Sequence, residues 1–124
     1  MKSVVSTPSA PAAIGPYSQA IISGAMVYLS GQLPIDPATG QMPQSATDQA
    51  RQSLENISRI LVAAGSSMAK VVRVGIFMTD LADFQAVNEI YATFFEGDYP
   101  ARSTVQVAAL PRGAKIEIEA VAEL

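Results

Sequence analysis

Cysteine and histidine are both absent from this chain, and their absence narrows the chemistry before any motif is read. Without them there is no thiolate nucleophile, no disulfide, no imidazole base and no transition-metal site built from nitrogen and sulfur ligands. Catalysis must rest on carboxylate, guanidinium, ammonium, hydroxyl and backbone groups. Positive charge is scarce as well. Eight Lys and Arg against eleven Asp and Glu give a net charge of -3, the wrong sign for a protein that grips phosphate backbones. Nucleic acid is therefore not expected as a partner. No apolar run reaches the ~18 residues of a membrane span, and Met1-Lys2-Ser3-Val4-Val5 does not open a signal-peptide core. The expectation is a cytoplasmic protein with no membrane contact.

What is present suffices for one domain over residues 1–124, with 49% hydrophobic residues to fill its core. An early strand near residues 2–6 leads through Pro8 and Pro11 to Ile14-Gly15-Pro16-Tyr17, a turn that puts Tyr17 at a loop-to-strand junction. Residues 18–22 and 26–30 flank Ser23-Gly24-Ala25 as a hairpin, with Gly31 ending its second strand. Ser45 and Asp48 resemble a capping box for a helix that stops at Gly65, with Ala50, Leu54, Ile57 and Leu61 as its buried stripe. A strand over residues 70–78 follows, and Asp80 caps a second helix bearing Leu81, Phe84, Val87, Tyr91 and Phe94 on one face. The order is β-β-β-α-β-α-β-β.

The last quarter carries the chemistry. Residues 100–107 and 115–121 read as two alternating strands, with Arg102, Thr104 and Gln106 sharing one side of the first and Glu117 and Glu119 one side of the second. Pairing through Ala109-Leu110-Pro111-Arg112-Gly113-Ala114 would bring a guanidinium and carboxylates together on one surface. Two helices cover only one face of such a sheet, and the crossover rule puts both on the same side. The other face, expected to carry these polar residues among apolar ones, is then closed by self-association. By residue type, Arg102 suits either a cross-strand ion pair with Glu117 or Glu119 or the capture of a substrate carboxylate.

Ala13-Ile14-Gly15-Pro16-Tyr17-Ser18-Gln19, Ser30-Gly31-Gln32-Leu33-Pro34, Val87-Asn88, Pro100-Ala101-Arg102-Ser103 and Ile116-Glu117-Ile118-Glu119, in that order, resemble the RidA, or YjgF-type, family of reactive-intermediate deaminases. The resemblance spans nearly the whole chain. It implies a chorismate-mutase-like α+β fold: a mixed sheet with two helices on one face, three copies of which form a homotrimeric barrel with clefts between subunits. It also implies hydrolysis of small 2-imino acids, such as 2-aminoacrylate and 2-iminobutanoate, to 2-oxo acids and ammonia without a cofactor or metal.

By that resemblance Arg102 binds the substrate carboxylate and Glu117 activates water, while Tyr17, Ser30, Gly31, Asn88 and Thr104 line the pocket. Pro111 shapes the loop before the last strand. Thr104 departs from family members that carry Cys there, so thiol-modifying reagents should not affect activity. Glu119, on the same strand face as Glu117, competes for the base role. The alternative function is a non-catalytic trimer that binds small carboxylates or serves as a protein-interaction, chaperone-like platform. Such a sensor needs Arg102 but not Glu117.

Overall fold

The computed structural model describes residues 1–124. Its elements follow as β1 (Ser3–Val5), β2 (Ala20–Ser23), β3 (Met26–Gln32), α1 (Ala46–Ala63), β4 (Val71–Met78), α2 (Phe84–Ala92), β5 (Ala101–Gln106) and β6 (Ile116–Glu123), the order read from the sequence. No helix is long and apolar enough to cross a membrane.

Both ends of α1 form where the sequence marks them, whereas α2 begins at Phe84, one 3-10 turn after the expected cap Asp80. The Ser45 hydroxyl accepts the Asp48 amide at 3.1 Å, meeting one of the donors that a helix start leaves open. After the last turn, Gly65 takes φ 83. The Ser66 and Gly65 amides then return to the Leu61 and Val62 carbonyls at 2.8 and 3.0 Å, a closure that needs a left-handed residue. The Asp80 carboxylate accepts the Ala82 amide at 2.8 Å and starts the 3-10 turn Leu81–Asp83, which runs into α2.

One sheet of six strands has the order β1-β2-β3-β6-β4-β5. Only β4 and β5 run parallel, with α2 as the crossover between them. Helix α1 packs on β6, β3 and α2. Its Leu54, Ile57, Ile60 and Leu61 close over Ile116 and Ile118, all at 1% exposure or less. Burial of each such side chain contributes about 1.5–3 kcal/mol.

Two expectations are corrected. Strands β5 and β6 do not pair, because β4 lies between them with both its edges occupied. Each meets β4 at Met78, so residues 107–115 cross the end of that strand, held by Val107 N–H to Met78 O at 2.8 Å and Thr79 N–H to Lys115 O at 3.1 Å. Nor does Gly31 end its strand. Leu29 faces Ala120 and Gln32 faces Ile118, so Ser30 and Gly31 together stand against Glu119 in a bulge.

The register also decides which residues share a face. Arg102 lies opposite Val74, Thr104 opposite Ile76 and Gln106 opposite Met78, so all three belong to the helix-covered face. Glu117 lies opposite Phe77, and Glu119 opposite Gly75. The uncovered face therefore carries rows Val105-Phe77-Glu117 and Ser103-Gly75-Glu119, next to Tyr28, Arg73 and Val121. Arg102, Thr104 and Gln106 are not on it.

Candidate active site

Glu117 stands in a trough of about 1240 Å³ on the uncovered face, whose walls include Tyr17, Ser30, Gly31, Arg112 and Glu119. Its position depends on a missing side chain. A Cβ on Gly31 would sit 2.8 Å from Glu117 Cδ, closer than any real contact, so the carboxylate lies over bare backbone. Glu119 crosses Gly75 in the same way, where a Cβ would meet its Cγ at 3.0 Å. Burial, and then the neighbouring Glu119 charge, hold the Glu117 carboxyl above the usual carboxylate range.

The trough's other wall comes from the bulge and the loop before β2. Ser30 donates its hydroxyl to Ser18 O at 2.6 Å, and its amide to Gln19 O at 2.9 Å. The Ser30 oxygen keeps lone pairs but no free proton in this arrangement. Tyr17 is half exposed, and its hydroxyl accepts the Ile14 amide at 3.3 Å. Gln19 is the residue the sequence reading passed over. Its buried amide accepts Thr7 N–H at 2.7 Å and donates to the Thr7, Ala10 and Pro11 carbonyls at 3.0, 3.4 and 2.8 Å, fixing the loop that carries Tyr17.

Arg102 occupies a second hollow, of about 420 Å³, lined by Asn88, Tyr91, Ala92, Tyr99 and Pro100. Its guanidinium carbon lies 4.7 Å from the Tyr91 ring centre and 5.6 Å from that of Phe84. Phe84, Asn88 and Tyr91 are spaced i, i+4, i+7, so one stripe of α2 supplies them all. The sequence spacing puts Phe84 and Tyr91 on one face of the second helix but does not show the cation that lies against them. Burial raises the Tyr91 hydroxyl pKa and the Arg102 charge partly offsets it. That hydroxyl has no hydrogen-bond partner.

The structure thus divides the expected residues. Glu117, Tyr17, Ser30 and Gly31 line the trough, Arg102 and Asn88 line the hollow, and Thr104 lines neither. The Thr104 hydroxyl oxygen is buried without a partner. An Arg102 ion pair with either glutamate is not formed, and the register puts them on opposite faces. The chain's one ion pair joins Arg59 and Glu55, at 4.0 Å on the surface of α1. One copy offers a guanidinium with open donors in one place, and a carboxylate that holds its proton more tightly in another.

Residues 7–124 match the family described as Endoribonuclease L-PSP. A mouse protein named 2-iminobutanoate/2-iminopropanoate deaminase is 50% identical over 123 residues, covering 98% of this chain and 91% of the mouse protein. The crystal structure of Escherichia coli TdcF with bound serine superposes with a TM-score of 0.96 at 49% identity, covering 98% of both chains. RidA from an Antarctic Psychrobacter bacterium gives a TM-score of 0.96 at 45% identity over 98% of this chain and 99% of that one. Sequence motifs, fold and these likenesses agree: the chain belongs to the Endoribonuclease L-PSP family, in which it is a relative of the RidA-type reactive-intermediate deaminases.

Proposed function

We propose that this chain is a cytoplasmic, single-domain hydrolase that converts small 2-imino acids to 2-oxo acids and ammonia. It works as a homotrimer whose sites lie between subunits. The observation that carries this reading is the division of the polar groups: Arg102 at edge strand β5 and Glu117 on the uncovered face belong to different hollows of one copy. A second copy that set its β5 edge against the trough would join them. The uncovered face also exposes Tyr28 and Val105, apolar surface suited to such contact.

In the joined site, the planar fork of Arg102 takes the substrate carboxylate through two parallel N–H donors. Glu117, opposite the imine carbon, accepts a proton from water as the water oxygen bonds to that carbon. The C=N electron pair moves to nitrogen, which takes up a proton. The resulting carbinolamine then collapses: its hydroxyl proton is lost, C=O forms, and the C–N electron pair leaves with ammonia. A carboxyl with a raised pKa is a stronger base when ionised and can return the proton to the leaving nitrogen. Tyr17 and Ser30 order water and substrate on the Glu117 side, Gly31 gives the substrate access to backbone, and Asn88 supplies an amide on the Arg102 side.

Imines hydrolyse unaided, so a gain of ~10²–10⁴-fold from general-base assistance is enough to be useful. An RNA-cleaving role is disfavoured, because the chain is acidic and neither hollow holds a cluster of cations. The test is 2-oxobutanoate release from freshly generated 2-iminobutanoate, with semicarbazide as a competing trap. Faster release by the wild type, lost in a folded, oligomeric Arg102→Ala protein, is the expected result. No acceleration by the wild type would overturn the proposal and favour carboxylate binding without turnover.

A further inference from the structure

Arg102 is held without being neutralised. No carboxylate lies within ion-pairing distance, and no protein acceptor takes any of its N–H groups, yet the residue is partly buried. What faces it is aromatic: Tyr91 at 4.7 Å and Phe84 at 5.6 Å from the guanidinium carbon to the ring centres. A ring attracts a cation through its face and leaves the N–H edges free. A carboxylate in the same place would occupy the fork and have to be displaced by substrate.

The rings are braced in their turn. Phe95 packs on Tyr91 at 4.8 Å between centres with a 46° tilt, and Tyr99 meets Phe95 edge-on at 6.4 Å. Tyr91 is buried at 5% exposure and its hydroxyl finds no partner, so nothing in the packing uses the oxygen. The ring is the part of Tyr91 in use.

We infer that Tyr91, aided by Phe84, is a positioning residue that presets the Arg102 guanidinium for a carboxylate by holding it against ring faces. This rests on the reading of Arg102 as the carboxylate grip, but not on the hydrolysis that follows. Preorganisation of this kind lowers the ordering cost of binding. The effect should therefore appear in affinity for the charged group, rather than in the chemical step.

The experiment measures calorimetric affinity for 2-oxobutanoate and for its uncharged amide, together with KM and kcat. It uses the purified oligomers of wild type, Tyr91→Phe, Tyr91→Leu and Phe84→Leu. Tyr91→Leu should weaken carboxylate binding by roughly 3- to 30-fold, from the usual worth of a cation–π contact, and leave amide binding unchanged. Phe84→Leu, at the longer distance, should do less in the same direction, and it carries the test if Tyr91→Leu does not fold. Tyr91→Phe should match wild type, and in the leucine variants KM should rise with kcat within about twofold.

The inference is overturned by unchanged carboxylate affinity in the leucine variants, by equal loss for carboxylate and amide, or by Tyr91→Phe behaving like Tyr91→Leu. A wild type that binds the carboxylate in this Tyr91-dependent way but hydrolyses no imine would remove the proposed reaction and leave the cradle standing.

Discussion

The two hollows are made by opposite means. Around Arg102 the protein adds matter, backing the guanidinium with the rings of Tyr91 and Phe84 on a single helix stripe. Around Glu117 it removes matter, opening a bulge at Ser30-Gly31 and leaving bare backbone under the carboxylate. A cation that must keep its donors free can be held from behind by an apolar ring face. A carboxylate that must reach water and substrate needs room in front of it instead. The difference matches the roles proposed for them, binding on the Arg102 side and proton transfer on the Glu117 side.

The largest expected effect that would separate these roles comes from Glu117→Gln. Turnover should fall by ~10²–10⁴-fold while affinity for 2-oxobutanoate is kept, since the variant removes the proposed general base and leaves the proposed carboxylate grip. The same variant should be more stable at neutral pH. A carboxyl whose pKa is raised by the fold favours the folded state while protonated. That contribution is present below its ordinary value of 4.5 and is lost as pH climbs through the raised value. The gain in Tm from Glu117→Gln should therefore be larger at about pH 7 than at about pH 4, and scanning calorimetry at the two pH values checks it.

Gly31→Ala should come next. The new methyl group would occupy space within 2.8 Å of Glu117 Cδ and push the carboxylate aside, at a cost of up to ~10²-fold in kcat for displacement of about 1 Å. Carboxylate affinity, set in the other hollow, should stay near wild type. Parallel loss of both would break the division of roles.

The smallest effect is a shift rather than a loss. Glu119 is the second cause, after burial, of the raised Glu117 pKa. Glu119→Gln should therefore lower that pKa and move the acid limb of the kcat/KM profile to lower pH. An unmoved limb would show that another group sets it.

Local signals were legible in the sequence wherever one residue decides the outcome. Ser45 starts α1, Gly65 ends it, Asp80 opens the turn into α2, and the α1 stripe is buried as its spacing requires. Alternation placed Glu117 and Glu119 together and Arg102 with Thr104. It could not say whether the two sets share a face, because that depends on which strand each pairs with. Closeness in sequence suggested a β5–β6 hairpin. The parallel crossover through α2 instead puts β5 on one edge of β4, leaving β6 the other. With Arg102 across from Val74 and Glu117 across from Phe77, an odd step along β4 separates the faces. The aromatic backing of Arg102 was hidden for a similar reason: Phe84 and Tyr91 have the spacing of core residues, and only the position of β5 gives them a cation to face.

The central claim is that a working site takes Arg102 from one copy and Glu117 from another, and co-assembly of two inactive variants tests it most directly. Arg102→Ala and Glu117→Gln chains, tagged differently, would be unfolded together, refolded, and isolated as mixed oligomers of verified mass. In a mixed trimer of either composition, one of the three sites would receive both intact residues, so activity should return to about one third of wild type. Mixed oligomers as inactive as either parent would contradict a site shared between copies.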